Sequence, residues 1–135
     1  MPLLLEIITP ESKVFSEEVE AVVVPGSEGE LGILPQHIGL LVQLEPGELR
    51  VQNRGEELYL AVGGGFVEVS ADKVSVLTDM AIREDDIDES AAEEAMRRAE
   101  AAMRDEKLHG EEYASVQASL QKSLAQLKVK RRRGH

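Results

Sequence analysis

The chain has 135 residues, no cysteine, no tryptophan, two tyrosines, two phenylalanines and a net charge of −11. That length suits one compact domain, with room for an appendage. Without cysteine there are no disulfides or thiolate chemistry, which fits a reducing compartment, and the negative charge argues against non-specific nucleic-acid binding.

No apolar run is long enough to span a bilayer. Met1-Pro2-Leu3-Leu4-Leu5-Glu6 has no basic leader, so no signal peptide is expected. The first predicted strand is the apolar run Leu3–Ile8, ending at Thr9-Pro10, and the next is Val19–Val24. The stretch Val22 to His37 is then rich in glycine and proline. Val22–Val24 favours extended chain and the recurring Gly and Pro forbid helix, so it reads as strand, glycine-rich loop, short strand and a corner at Leu34-Pro35. A phosphate-binding loop is rejected here. The spacing is G-x-x-G-x-x-G, no Gly-Lys-Ser/Thr follows, and Glu28 and Glu30 would repel a phosphate.

Leu40, Val42 and Leu44 alternate with Leu41, Gln43 and Glu45, and Pro46-Gly47 signals a turn. Leu49, Val51 and Asn53 follow with period two, Asn53-Arg54-Gly55 suits a hairpin, and Leu58, Leu60 and Val62 continue. Gly63-Gly64-Gly65 interrupts; glycines inside a strand pattern mark a bulge or a close crossing rather than a ligand cradle. Phe66–Val69 and then Val74, Val76 and Thr78 complete the series. Short strands at turn spacings of about 8–12 residues indicate an all-β sandwich or barrel.

The pattern changes near residue 85. Residues 1–84 carry 15 acids and 5 bases, whereas residues 85–135 carry 11 acids and 10 bases. The expected division is therefore 1–84, a β-domain, and 85–135, a helical unit. Asp86 or Asp88 is the expected N-cap of the first helix. Ala91/Ala92, Ala95, Ala99 and Ala102/Met103 form its seam, and Gly110 is its expected stop. Tyr113, Val116, Leu120, Leu124 and Leu127 form one narrow stripe on a second helix, giving an antiparallel hairpin. An alanine face buries little apolar area, at about 25 cal/mol per Å². The hairpin is therefore the expected low-stability unit, able to detach.

Catalytic groups are scarce. His37, His109 and His135 have no metal-ligand partners at useful spacing, and no nucleophile–base pair exists. Asp85, Asp86 and Asp88 lack the glycine of a calcium loop and read as helix N-terminal charge. No metal site and no enzymatic activity are expected; a binding or mechanical role is.

At this point the residues carry a resemblance. Pro25-Gly26-Ser27-Glu28-Gly29-Glu30-Leu31-Gly32-Ile33-Leu34-Pro35-Gln36-His37 resembles the signature loop of the epsilon subunit of F-type ATP synthases, bacterial or plastid. Gly64-Gly65-Phe66-Val67-Glu68-Val69 followed by Val74–Leu77, Ala81-Ile82-Arg83 leading into Asp86-Ile87-Asp88, and Tyr113-Ala114 with Leu124–Val129 are similar to its other hallmarks. The match runs in order along essentially the whole chain.

The resemblance implies an α+β fold: an N-terminal antiparallel β-sandwich of about ten strands and a C-terminal antiparallel two-helix hairpin. It implies a rotor subunit of the central stalk that couples ring rotation to ATP synthesis, bound to the gamma subunit and the c-ring. The protein would sit peripherally on the soluble, cytoplasmic face of an energy-transducing membrane, without inserting into it. The hairpin would extend toward the catalytic beta and alpha subunits and reversibly inhibit ATP hydrolysis. The alternative is a purely structural coupling subunit with a permanently folded hairpin.

By the same resemblance, Glu30, Leu31 and Gly32 would face the ring. His37 would lie near gamma, a packed core histidine being the other reading. Lys122, Lys128, Lys130, Arg131, Arg132 and Arg133 would meet an acidic segment of the catalytic subunits, a solvated basic tail being the other. Some members bind ATP through Ile-Asp-x-x-Arg-Ala. Here the arginine position holds Ala91 and the second helix offers Ser123, Gln126 and Lys122, so no cofactor and at best weak ATP binding are expected.

Overall fold

The computed structural model describes residues 3–34 and 39–133, the last of these by its backbone alone. His37 and Pro35 lie outside the described residues. Ten strands come first: β1 (Leu3–Ile8), β2 (Lys13–Val19), β3 (Ala21–Gly26), β4 (Gly29–Ile33), β5 (Leu40–Leu44), β6 (Gly47–Asn53), β7 (Glu56–Val62), β8 (Gly65–Val69), β9 (Lys73–Thr78) and β10 (Ala81–Arg83). A 3-10 turn at Glu84–Asp86 leads to the helices α1 (Glu89–Met103) and α2 (Gly110–Arg133).

The strand order is β10-β7-β6-β3-β5-β8-β9-β1-β2, with β4 paired to β3. The two halves meet where β3 leaves β6 and makes a single bridge to β5, Gly26 opposite Leu44. They close as a sandwich over one core, in which Leu3, Leu5, Ile7, Val22, Leu49 and Leu60 are among the fully buried side chains. Among the described residues every ladder is antiparallel except β1 with β9, where Ile7 lies beside Val76. A parallel pair needs a long connection, and these strands are separated by most of the sandwich.

Three glycine-bearing turns show why these residues are there. Arg54 (φ 54°) and Gly55 (φ 80°) form the β6–β7 turn, in the left-handed conformation that a two-residue hairpin demands. Gly26 faces Gly29 at the tip of the β3–β4 hairpin. Gly65 (φ 153°) lies so close to β9 that a Cβ would fall 1.9 Å from the Leu77 carbonyl oxygen. The Gly63–Gly65 run is thus a close crossing, and the Thr78 hydroxyl donates to the Gly64 carbonyl at 3.0 Å.

Asp88 caps α1, its carboxylate accepting the Ala91 N–H at 3.1 Å. Ala92 and Ala99 are buried and Ala95 and Ala102 half-buried, as the alanine seam requires. Gly110, however, does not stop α1, which ends at Met103 with Arg104 as its cap. A turn at Asp105, whose carboxylate accepts from Lys107 N–H at 2.9 Å, carries the chain across. Gly110 instead opens α2, with φ 63°.

The stripe on α2 is only partly interior. Leu127 is buried and Val116 and Leu120 are half-buried, but Tyr113 and Leu124 are exposed. The reason is that α2 has two neighbours, α1 and the sandwich. Ala125 and Val129 pack with Tyr59 and Ala61 of β7 and with Ile87 in a second, smaller core. That core explains β7, which is buried on both faces: Leu60 and Val62 point into the sandwich, Tyr59 and Ala61 toward α2.

Candidate functional site

Two surfaces carry the residues singled out above. The first is the β3–β4 hairpin. The pairing of Val24 with Leu31 and Pro25 with Glu30 turns Leu31 half inward against the sandwich core. Glu30 remains exposed and pairs with Arg50 of β6, Oε2 to Nη1 at 3.2 Å. Gly32 is exposed, and a Cβ there would meet nothing within 4 Å.

Between this hairpin and β5 lies a groove of about 380 Å³ bounded by residues 26–31 and 40–43. Next to it the outer face of the second half-sheet carries large apolar side chains among the polar Glu68, Ser75 and Glu6. Leu41 is 67% exposed, Phe66 53% and Leu77 48%. Phe66 lies opposite Leu77 and Leu77 beside Ile8, so they form a row across β8, β9 and β1. Large apolar side chains in such a row mark a docking face.

The second surface is the seat of α2. Lys122 pairs with Asp79 at 3.0 Å, and the Lys130 ammonium donates to the Glu84 carbonyl at 3.3 Å. Arg131 spans Glu89 (2.8 Å) and Glu93 (2.5 Å) of α1, which places the end of one helix beside the start of the other. Its guanidinium is held still more firmly in the charged form, first by the hydrogen bond to Glu89. Arg132 donates to Oε1 of Glu48 on β6 at 2.6 Å, and Arg50 reaches the same oxygen at 3.5 Å. Glu48 itself is only 3% exposed, and its Oε2 has no hydrogen-bond partner among the described residues. Lys128 is exposed, and the Arg133 side chain lies outside the described residues.

The structure therefore brings Lys122, Arg131 and Arg132 onto the protein's own carboxylates and Lys130 onto a backbone carbonyl, and keeps Glu30, Leu31 and Gly32 on a separate loop. Sequence reasoning missed Glu48, Arg50, Asp79, Glu89 and Glu93 as the partners. The one available signal is that Glu48 and Arg50 alternate with Leu49 and Val51, which places both on the outer face of β6. That α2 covers this face is a tertiary fact.

Among the described residues, no group of three or more His, Asp or Glu side chains is arranged to hold a metal ion. Nor, among the described residues, is any helix long and apolar enough to cross a membrane. Ala91 is exposed in the first turn of α1.

Residues 2–84 match the family model for the ATP synthase delta/epsilon chain, beta-sandwich domain, and residues 85–131 match its long alpha-helix domain. The ATP synthase epsilon chain of Dehalococcoides mccartyi is 48% identical over 134 residues, covering 98% of this chain and 96% of that one. That of Alkalilimnicola ehrlichii is 47% identical over 126 residues, covering 93% and 89%. In fold, the chain is similar to one from the Euglena gracilis mitochondrial ATP synthase OSCP/F1/c-ring assembly (TM-score 0.74, 24% identity, 89% of this chain and 76% of that). It is also similar to one from the Tetrahymena thermophila mitochondrial ATP synthase central stalk and c-ring (TM-score 0.61, 13% identity, 96% and 97%).

Proposed function

The chain belongs to the ATP synthase delta/epsilon-chain family as a non-catalytic epsilon subunit with the family's coupling role in the central stalk, and on that premise we propose that its helical hairpin is a reversible brake on ATP hydrolysis. One observation supports this most. The cations of α2 are held by breakable pairs, Lys122 with Asp79, Arg131 with Glu89 and Glu93, and Arg132 with Glu48. The apolar contact beneath them comes from side chains no larger than Ala125 and Val129 on the α2 side. Exposed pairs such as Lys122–Asp79 and Arg131–Glu89 contribute about 0.2–1 kcal/mol each, while Arg132 ends on a carboxylate that α2 keeps from water. A cationic helix held this way can exchange its partners for an acidic segment of the catalytic beta and alpha subunits. Lys122, Lys128, Lys130, Arg131, Arg132 and Arg133 are the residues that make the exchange.

The other face has the complementary duty. Glu30, Leu31 and Gly32 form the contact to the c-ring, where a small-residue hairpin lets polar ring loops approach closely. The apolar row of Phe66, Leu77 and Ile8, with Leu41 near it and together with His37, meets the gamma subunit. The protein is then held peripherally at an energy-transducing membrane by its partners.

A second reading is favoured by the completeness of the seat, in which four of the α2 cations named above already have acceptors. On that reading the hairpin stays down and the subunit only couples. Epsilon-depleted catalytic head with gamma separates the two. Full chain and a truncation after Arg83 are added, with binding of both verified. Slowed hydrolysis with the full chain alone supports the brake; equal hydrolysis with both leaves the coupling role only.

ATP is not expected to bind tightly. The position that would hold an arginine fork is Ala91, and Arg131 is committed to two carboxylates. Calorimetry should find a dissociation constant of about millimolar or weaker; micromolar binding would refute the expectation.

A further inference from the structure

The two surfaces are connected by charge. Glu30 on the β3–β4 hairpin pairs with Arg50, Arg50 approaches Glu48, and Glu48 holds Arg132 at the end of α2. The chain alternates in sign across the outer face of the β3–β6 half-sheet. Its weak joint is Arg50, whose Nη1 lies 3.2 Å from Glu30 and 3.5 Å from Glu48, a guanidinium shared between two carboxylates. The unsatisfied atom is next to that joint: Oε2 of Glu48, buried and without a hydrogen-bond partner among the described residues.

We propose that the Glu30–Arg50–Glu48–Arg132 chain couples the β3–β4 hairpin to the seat of α2, so that engagement of Glu30 by a cationic group of a docking partner tightens the closed hairpin. A partner cation that takes Glu30 releases Arg50. The planar guanidinium carries five donors and turns fully to Glu48, where it supplies the orphaned Oε2 while Arg132 keeps Oε1. A buried acceptor gains more from such a bond than a hydrated one does. Glu48 is covered when α2 is down and open to water when α2 leaves. The gain therefore falls mainly on the closed state. Linkage makes the effect reciprocal: a closed hairpin draws on Arg50 and leaves Glu30 freer for its partner. The coupling rests on the hairpin opening proposed above but requires neither ring nor catalytic head, so it is tested on the full chain alone.

The experiment is native-state amide hydrogen exchange along α2 in the wild type, Glu30→Gln, Glu48→Gln and the double variant. Glu30 is exposed, so Glu30→Gln leaves the fold intact while removing the charge that draws Arg50 away from Glu48. The expected result is α2 exchange slower by about two- to fivefold in Glu30→Gln, with no such slowing when Glu30→Gln is added to Glu48→Gln. Unchanged or faster α2 exchange in Glu30→Gln overturns the coupling, as does the same slowing in both backgrounds. If α2 exchanges only together with the core strands in the wild type, the opening reading falls and takes the coupling with it. If α2 opens separately but ignores Glu30, the coupling alone falls.

Discussion

Glu6 shows how a single carboxylate can bind three strands together. It sits on the middle of β1, where β2 lies on one side and β9 on the other. Its two oxygens take Lys13 and Lys73, each at 2.8 Å. Hydrogen bonds from Lys13 and then Lys73 hold its pKa down at about 2. A lowered folded-state pKa stabilises the fold above the ordinary carboxylate value of 4.5, and that contribution disappears as pH falls through about 2. Glu6→Gln should therefore lower the thermal midpoint at neutral pH, with the gap to the wild type closing between pH 4.5 and about 2. Midpoints measured across that window check the sign. Gly65 offers a backbone counterpart. With φ 153° and a would-be Cβ 1.9 Å from a carbonyl oxygen, Gly65→Ala should cost about 2 kcal/mol or more in urea unfolding. Gly32→Ala, in open space, should leave stability unchanged. Any effect of Gly32→Ala on the assembled enzyme would then support the docking role proposed for it.

Among the elements, strands with strict alternation and a full apolar face were readable from sequence. Leu3–Ile8 was readable as an apolar run ended by Thr9-Pro10, and Leu58–Val62 by period two alone. β2 was not readable. Ser16, Glu17 and Glu18 are exposed on an edge strand; Phe15 and Val19 are buried in the core and Val14 packs against it half-buried. Charges on an edge prevent strand addition, and they also erase the hydrophobic signal. β10 is three residues long and borrows its order from β7. On α2, the leucine stripe identified the face toward α1, while Ala125 and Val129 were too small to announce a second one. Their meaning came from Tyr59 and Ala61, on the far side of a strand already explained by Leu60 and Val62. The candidate site divides the same way. The loop residues Glu30, Leu31 and Gly32 were recognisable as a motif, but the acceptors of the basic helix are scattered from Glu48 to Glu93 and meet only in three dimensions. Asp88 allows this level to be tested. Asp88→Ala removes the cap on Ala91 and should cost α1 about 1 kcal/mol. Amide exchange should show it in α1, with the core strands unaffected.

At the scale of the molecule, the proposed brake would be a contest between two sets of anions for one set of cations. The β-domain holds most of the acidic excess, and the end of α2 holds the densest basic run. Salt weakens both the closed and the extended arrangement, so its net effect depends on which pairs are better shielded from water. The Debye length is about 10 Å at 0.1 M ionic strength and shortens as salt rises, and exposed pairs lose most while partly buried ones lose little. In the closed arrangement, Arg132 ends on a carboxylate that is only 3% exposed, and Ala125 and Val129 add contact that salt does not weaken. On the proposed brake, a cationic helix reaching across to another subunit would rely on exposed pairs. Raising salt from about 0.05 to 0.5 M should therefore favour the closed hairpin and relieve inhibition of hydrolysis, even though it screens the closed pairs as well. Hydrolysis by the reconstituted head across that range, with a fluorescent pair placed on α2 and β7, reads both quantities at once. Inhibition that holds or deepens with salt would mean that apolar packing against the catalytic subunits, rather than the cations of α2, carries the brake.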